Sequence, residues 1–176
     1  MKPLRARYAR IERVVSSLLE DFGVSEAPVP IERIVKGSGI TLQSGDLGEV
    51  SGLLARSLAK TTIGVNSSHP RTRQRFTIAH EFAHYILHEG IVSHIDKEYR
   101  VNFRSAESSE GTDIEEIEAN FFAATILMPK KFLDEDEAIK AIDNDALVRE
   151  LAARYKVSGH AMSLRLANIY KFQRPF

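Results

Sequence analysis

The segment RFTIAHEFAHYILHEG, residues 75–90, constrains the chain more than any other stretch. Phe76, Ala79, Ala83, Ile86 and Leu87 recur at helical spacing, which predicts a helix over 71–89 closed by Gly90. His80 and His84 lie one turn apart on one face of that helix, so both imidazoles can converge on one ion. Glu81 is rotated by about 100° from His80 and can lean over a water at such an ion instead of joining the ligands. In H-E-x-x-H zinc peptidases that glutamate takes the water's proton. The bland alternative is an amphipathic helix that happens to carry histidines.

Composition narrows the choices. A chain of 176 residues is about one domain's worth, and its 43% hydrophobic and 27% charged residues suit a folded globular protein. The 24 basic residues balance 24 acidic ones, which argues against a protein that coats nucleic acid. With no cysteine there is neither a disulfide framework nor a thiolate site, so His, Asp or Glu must hold any metal. Glu12 and Arg13 interrupt the apolar N-terminal run, and nothing approaches the ~20 apolar residues of a membrane span. The expected location is cytoplasmic, with no membrane contact.

Elsewhere, Ile11, Val14, Val15, Leu18, Leu19 and Phe22 predict a helix over 5–22, and PIERIVKG a short one over 30–37. ITLQ, VSGLLARSL and TTIGVN predict three short strands in an antiparallel sheet. SAESSEGTD, 105–113, reads as a surface loop, followed by a helix over 113–128 with Thr112 and Glu115 placed for a capping box. DEDEAIKAIDND reads as a solvated charged helix or loop. ALVRELAARYKVSGHAMSLRLANIY gives two helices broken near Val157–Gly159.

A third ligand is not supplied by the long form of the motif, because Leu87 and Gly90 stand where glycine and histidine would be needed. His88 suits the helix C-terminus better than a metal, and His69, His94 and His160 read as surface residues. On the second long helix, Ile114, Ile117, Phe121, Thr125 and Met128 form a stripe. Glu118 falls inside it, within about 40° of Ile114. A carboxylate there is costly unless it binds a cation or pairs with a buried arginine, Arg73 or Arg75 being candidates. Glu115 sits at the stripe's edge and Glu116 points to the opposite side.

RQRFTIAHEFAHYILH followed by EANFFAATILMP resembles the ImmA/IrrE family of metallo-endopeptidases. TIGVNSS, 62–68, and the tail LAARYKVSGHAMSLRL fit that pattern too, so the likeness runs from about residue 10 to 170. The resemblance implies an α+β fold, a mainly helical zincin-like metallopeptidase core with a small antiparallel three-stranded sheet. It implies a single domain over 1–176, with N-terminal helices and sheet in 1–70, metal-site helices in 71–129 and C-terminal helices in 130–176. It makes His80, His84 and Glu118 the metal ligands and Glu81 the catalytic base. Asn120 matches the asparagine of E-A-N. Phe82 and Ala83 replace the commoner Leu and Gly of H-E-L-G-H, at positions that do not touch the metal.

The function expected is metal-dependent cleavage of a protein substrate, by the resemblance a helix-turn-helix transcriptional repressor, which relieves repression. Two imidazoles and a carboxylate suit zinc, with manganese or iron also tolerable. The strand TTIGV is a candidate to pair with an extended substrate, and Tyr85, His88 and Tyr99 are candidate oxyanion stabilisers. Two rivals stand beside this reading. One is a DNA-binding regulator using the C-terminal helix pair, where Arg149, Arg154, Lys156, Arg165 and Lys171 are the basic residues. The other is a metal-bearing binding module or toxin component that holds its partner without cutting it.

Overall fold

The computed structural model describes residues 5–57, 59–88, 93–96 and 112–171. The helices are α1 (Tyr8–Asp21), α2 (Ile31–Gly37), α3 (Arg71–Leu87), α4 (Thr112–Leu127), α5 (Lys130–Glu135), α6 (Asp145–Tyr155) and α7 (Gly159–Leu166). The strands are β1 (Ile40–Gly45), β2 (Gly52–Arg56), β3 (Thr61–Asn66) and β4 (Ser93–Asp96). The chain is therefore α+β and mainly helical, as expected. Gly90 as a helix stop, Tyr99, the loop at 105–111 and the Thr112 side chain of the capping box lie outside what is described. Among the described residues no helix is long and apolar enough to cross a membrane.

The sheet differs from the antiparallel three-stranded expectation. It has four strands in the order β1-β3-β2-β4 and is mixed, because β1 runs parallel to β3. The β2–β3 connection is a tight hairpin in which Ser57 N donates to Lys60 O at 2.9 Å. The longer connection 46–51 steps over the place that β3 occupies, so β3 slots between β1 and β2. Asn66, at the end of β3, holds this crossing. Its Nδ2 donates to Gly48 O and Val50 O, both at 2.9 Å, while its Oδ1 accepts from Ser68 N at 3.0 Å. A buried asparagine that satisfies two loop carbonyls pins the end of β3 to the connection that crosses it. With neighbours on both edges, β3 has no free edge for a substrate; β4 is the outermost described strand on the other side of β2.

α3 is buried almost throughout, from Gln74 to His84 and again at Leu87. It packs on β2 and β3 beneath and on α4 alongside. α1 presents Ile11, Val15 and Leu19, one per turn, to the core and packs on α4 from the opposite flank to α3. Tyr8 meets Phe121 edge-on at 4.8 Å on that flank. Covered on both sides, α4 is apolar nearly all round from Ala119 to Leu127, apart from the half-buried Asn120 and the buried Thr125. It has two interior faces, which a single stripe does not convey.

The C-terminal helices close over the α4–α5 corner. Asn144 caps α6, its Oδ1 accepting from Ala146 N and Leu147 N at 3.1 and 3.2 Å, and Ser158 Oγ caps α7 by accepting from Ala161 N at 3.1 Å. Lys156, at φ 53°, makes the left-handed turn between them. Arg165 is buried and donates Nε to Met128 O at 3.1 Å, and Arg154 pairs with Asp136 at 2.8 Å. Two of the tail's five basic residues are thereby committed to packing, and Lys171 pairs with Asp143 at 3.3 Å.

Candidate metal centre

α3 brings His80 and His84 together with their Nε2 atoms 3.1 Å apart. Opposite them, α4 supplies Glu116. Its Oε2 is 3.3 Å from His80 Nε2 and its Oε1 is 3.2 Å from His84 Nε2. His94, on β4, joins from the sheet side, with Nε2 3.0 Å from Glu116 Oε1 and Nδ1 3.2 Å from Glu81 Oε2. One ligand atom from each of His80, His84, His94 and Glu116 can be chosen so that all lie within 4.8 Å of one another, and the group could hold a metal ion.

The donor chemistry fits a divalent cation. Burial lowers the His84 pKa to about 4, despite the opposing Glu116 carboxylate, so its imidazole is uncharged at neutral pH and keeps a lone pair. Burial also opposes charge on Glu116, but the surrounding His80, His84 and His94 side chains outweigh it and hold the carboxyl well below the usual range. His94 is raised to about 10: burial opposes its charge, but the Glu116 and Glu81 carboxylates win. The His80 and His84 imidazoles facing one ionised carboxylate make an arrangement that a metal cation completes. Glu81 is buried, and its Oε1 has no hydrogen-bond partner among the described residues, an expensive state for a carboxylate unless water or another ligand serves it.

Asn120, one turn beyond Glu116, places its Oδ1 3.0 Å from His80 Nδ1. Accepting that proton leaves His80 Nε2 free to face the ion, the usual outer-sphere device for a histidine ligand. Arg56, on β2, gathers the C-terminal carbonyls of the helix by donating Nη2 to His84 O, Tyr85 O and His88 O at 3.1, 2.9 and 3.4 Å. Its guanidinium also lies over the Tyr85 ring at 4.8 Å, and Tyr85 stacks on Phe82.

Glu118 is not brought into this group. It faces α1, where its carboxylate accepts from Arg7 backbone N, Nε and Nη2 at 2.7, 2.9 and 2.6 Å, and its Oε2 lies 3.1 Å from His88 Nε2. The anomaly of a carboxylate on an apolar stripe is thus resolved by an arginine, though not by Arg73 or Arg75. Arg73 donates to Ser51 Oγ, and Arg75 is spent on Glu32, Val29 O and Lys156 O. Glu116, expected to point away, faces α3 because that side of α4 is interior as well. His94, expected at the surface, is held between two carboxylates. A signal for Glu116 was present: Glu116 and Asn120 are spaced i,i+4 on α4, as His80 and His84 are on α3.

Two stability results follow from this geometry. Arg7→Met should cost about 3 kcal/mol by denaturant unfolding, because it strands a buried carboxylate; the arginine side chain is 29% exposed, which places the cost at the lower end of the range. Gly52→Ala would put a methyl 2.3 Å from Thr77 Cγ2 and 3.4 Å from Glu81 Cγ. Thr77 is buried and β-branched, so it cannot yield easily. The expected cost is ~1–3 kcal/mol in thermal melts.

Residues 35–167 match the peptidase M78 family described as the IrrE N-terminal-like domain. The chain belongs to that family. Against metallopeptidase ImmA of Bacillus subtilis (strain 168) it is 26% identical over 164 residues, spanning 92% of this chain and 87% of that protein. Its fold is similar to a solved Mycobacterium tuberculosis transcriptional regulator, with a TM-score of 0.56 at 13% identity. That likeness covers 90% of this chain but 46% of the regulator, so this IrrE-like chain spans less than half of that structure's length. The family match takes in α3, β4 and α4 and leaves α1, with Arg7 before it, outside.

Proposed function

We propose that the protein is a metal-dependent endopeptidase in which His80, His84 and Glu116 hold one divalent ion and Glu81 is the general base. The observation that carries this is the convergence of Glu116 from α4 on both α3 imidazoles, with Glu81 one residue along. When bound, the ion would polarise the scissile carbonyl and acidify a water. Zinc suits two imidazoles and a carboxylate, with manganese or iron as the alternatives. Glu81 takes a proton from the attacking water and passes it to the leaving amine. His94 spans the Glu81 and Glu116 carboxylates with its two ring nitrogens, and would serve the developing oxyanion by turning one N–H from a carboxylate to it. Tyr85, packed on Phe82 under Arg56, and His88, engaged by Glu118, are less suited to that task. An extended substrate would lie along β4, the outer strand that carries His94.

The substrate is proposed to be a helix-turn-helix repressor, inactivated by the cut; this rests on the sequence resemblance alone. The test is to incubate the zinc- or manganese-loaded protein with such a repressor encoded beside it, and to read the products by mass spectrometry. Two fragments, absent with Glu81→Gln, are expected. An intact repressor would overturn the substrate assignment. No cleavage of any protein or peptide by a loaded centre would favour the non-cleaving binding module. The DNA-binding alternative is less well supported, because Arg165 is buried and Arg154 and Lys171 are paired.

A further inference from the structure

His84 Nδ1 lies 3.0 Å from His88 Nδ1, one turn further along α3. His88 Nε2 in turn lies 3.1 Å from Glu118 Oε2, and Glu118 accepts three hydrogen bonds from Arg7. His84, His88 and Glu118 are all buried. The far end of the chain is anchored as well, since Arg7 Nη2 also donates to Leu87 O at 3.4 Å.

With both imidazoles uncharged, one placement of protons satisfies every contact in this row. Arg7 has protons to donate and none to accept, so Glu118 is ionised and can only accept. His88 must then donate from Nε2, which leaves its Nδ1 as an acceptor. His84 must therefore carry its proton on Nδ1, and its Nε2 lone pair is turned toward His80 and Glu116. We infer that Arg7, Glu118 and His88 form a positioning relay that fixes the His84 tautomer and ring orientation for the metal ion. The inference rests on the proposed centre at His80, His84 and Glu116.

The two ligand histidines are thus served differently. His80 is oriented by a neutral amide, Asn120, on the same helix as Glu116. His84 is oriented by a carboxylate at one remove, and that carboxylate is set by a residue before α1. The N-terminal segment, outside the matched family span, thereby reaches the centre through Glu118. A carboxylate behind a histidine raises the ligand's basicity as well as holding it. Glu118 is consequently a determinant of metal affinity without touching the ion.

The decisive readout is nuclear magnetic resonance of zinc-loaded wild-type protein with 15N-labelled histidine. The relay requires protons on His84 Nδ1 and His88 Nε2, with a scalar coupling across the His84–His88 hydrogen bond. A proton on His88 Nδ1 would overturn it. In parallel, zinc affinity by chelator competition and the cobalt absorption spectrum are compared for wild type, His88→Phe and His88→Gln. His88→Phe should bind about 10–100-fold more weakly, with an altered cobalt spectrum. His88→Gln, whose amide oxygen can accept from His84, should recover most of the loss. Unchanged affinity and spectrum in folded His88→Phe would overturn the relay while leaving the centre standing. Should His88→Phe fail to fold, the wild-type proton positions decide. Wild type that takes up no zinc would remove the centre, and the relay with it.

Discussion

Glu116→Ala protein, purified and then reloaded with zinc, is expected to retain almost none of the roughly one ion per chain expected of wild type. The loss should exceed the ~10–100-fold that changes behind a ligand produce, because this substitution removes the ligand atom itself. Glu118→Ala, two residues along the same helix, supplies the contrast. It should keep the ion, bound about 10–100-fold more weakly, and lose stability because Arg7 loses its partner. Equilibrium dialysis with metal analysis separates the two variants. Retention of zinc by Glu116→Ala and its loss from Glu118→Ala would restore the ligand set that the sequence alone suggested.

Glu81→Gln is expected to lower turnover by about 100- to 10,000-fold while leaving metal content and melting temperature close to wild type. Gln has nearly the shape of Glu, and its Oε1 can still meet His94 Nδ1 where Glu81 Oε2 does now, at 3.2 Å. What it lacks is a basic oxygen to take a proton from water. Single-turnover cleavage of a loaded sample checks this, with metal content measured on the same preparation. Full activity in Glu81→Gln would remove the base assignment. A parallel fall in metal content would instead mean that Glu81 helps to hold the ion.

Much of the fold was legible because its helices carry strong period and clear punctuation. α1, α3, α6 and α7 stand where the apolar spacing put them, and the break at Val157–Gly159 is the cap of α7 at Ser158. The sheet was legible as strands but not as topology. Three short runs and two turns suit a simple meander, and nothing local states that residues 46–51 must bridge over β3. That depends on Asn66 satisfying Gly48 and Val50, a contact between distant positions.

The candidate centre was half legible for a similar reason. His80, Glu81 and His84 are fixed relative to one another by a single helix, so spacing alone orders them. Choosing between Glu116 and Glu118 requires knowing what lies on each side of α4. The helical wheel marked one face as interior, whereas α3 and α1 bury both. Glu118 was correctly marked as needing a cation, but Arg7, 111 residues away in sequence, provides it. His94 sits on a short strand whose pairing with β2 no local pattern announces.

The most direct measurement is anomalous diffraction at the zinc edge from crystals of the zinc-loaded protein. The account predicts one peak within bonding distance of His80 Nε2, His84 Nε2 and a Glu116 carboxylate oxygen, with Glu118 still held by Arg7. A peak coordinated by Glu118, or no peak between α3 and α4, would contradict it.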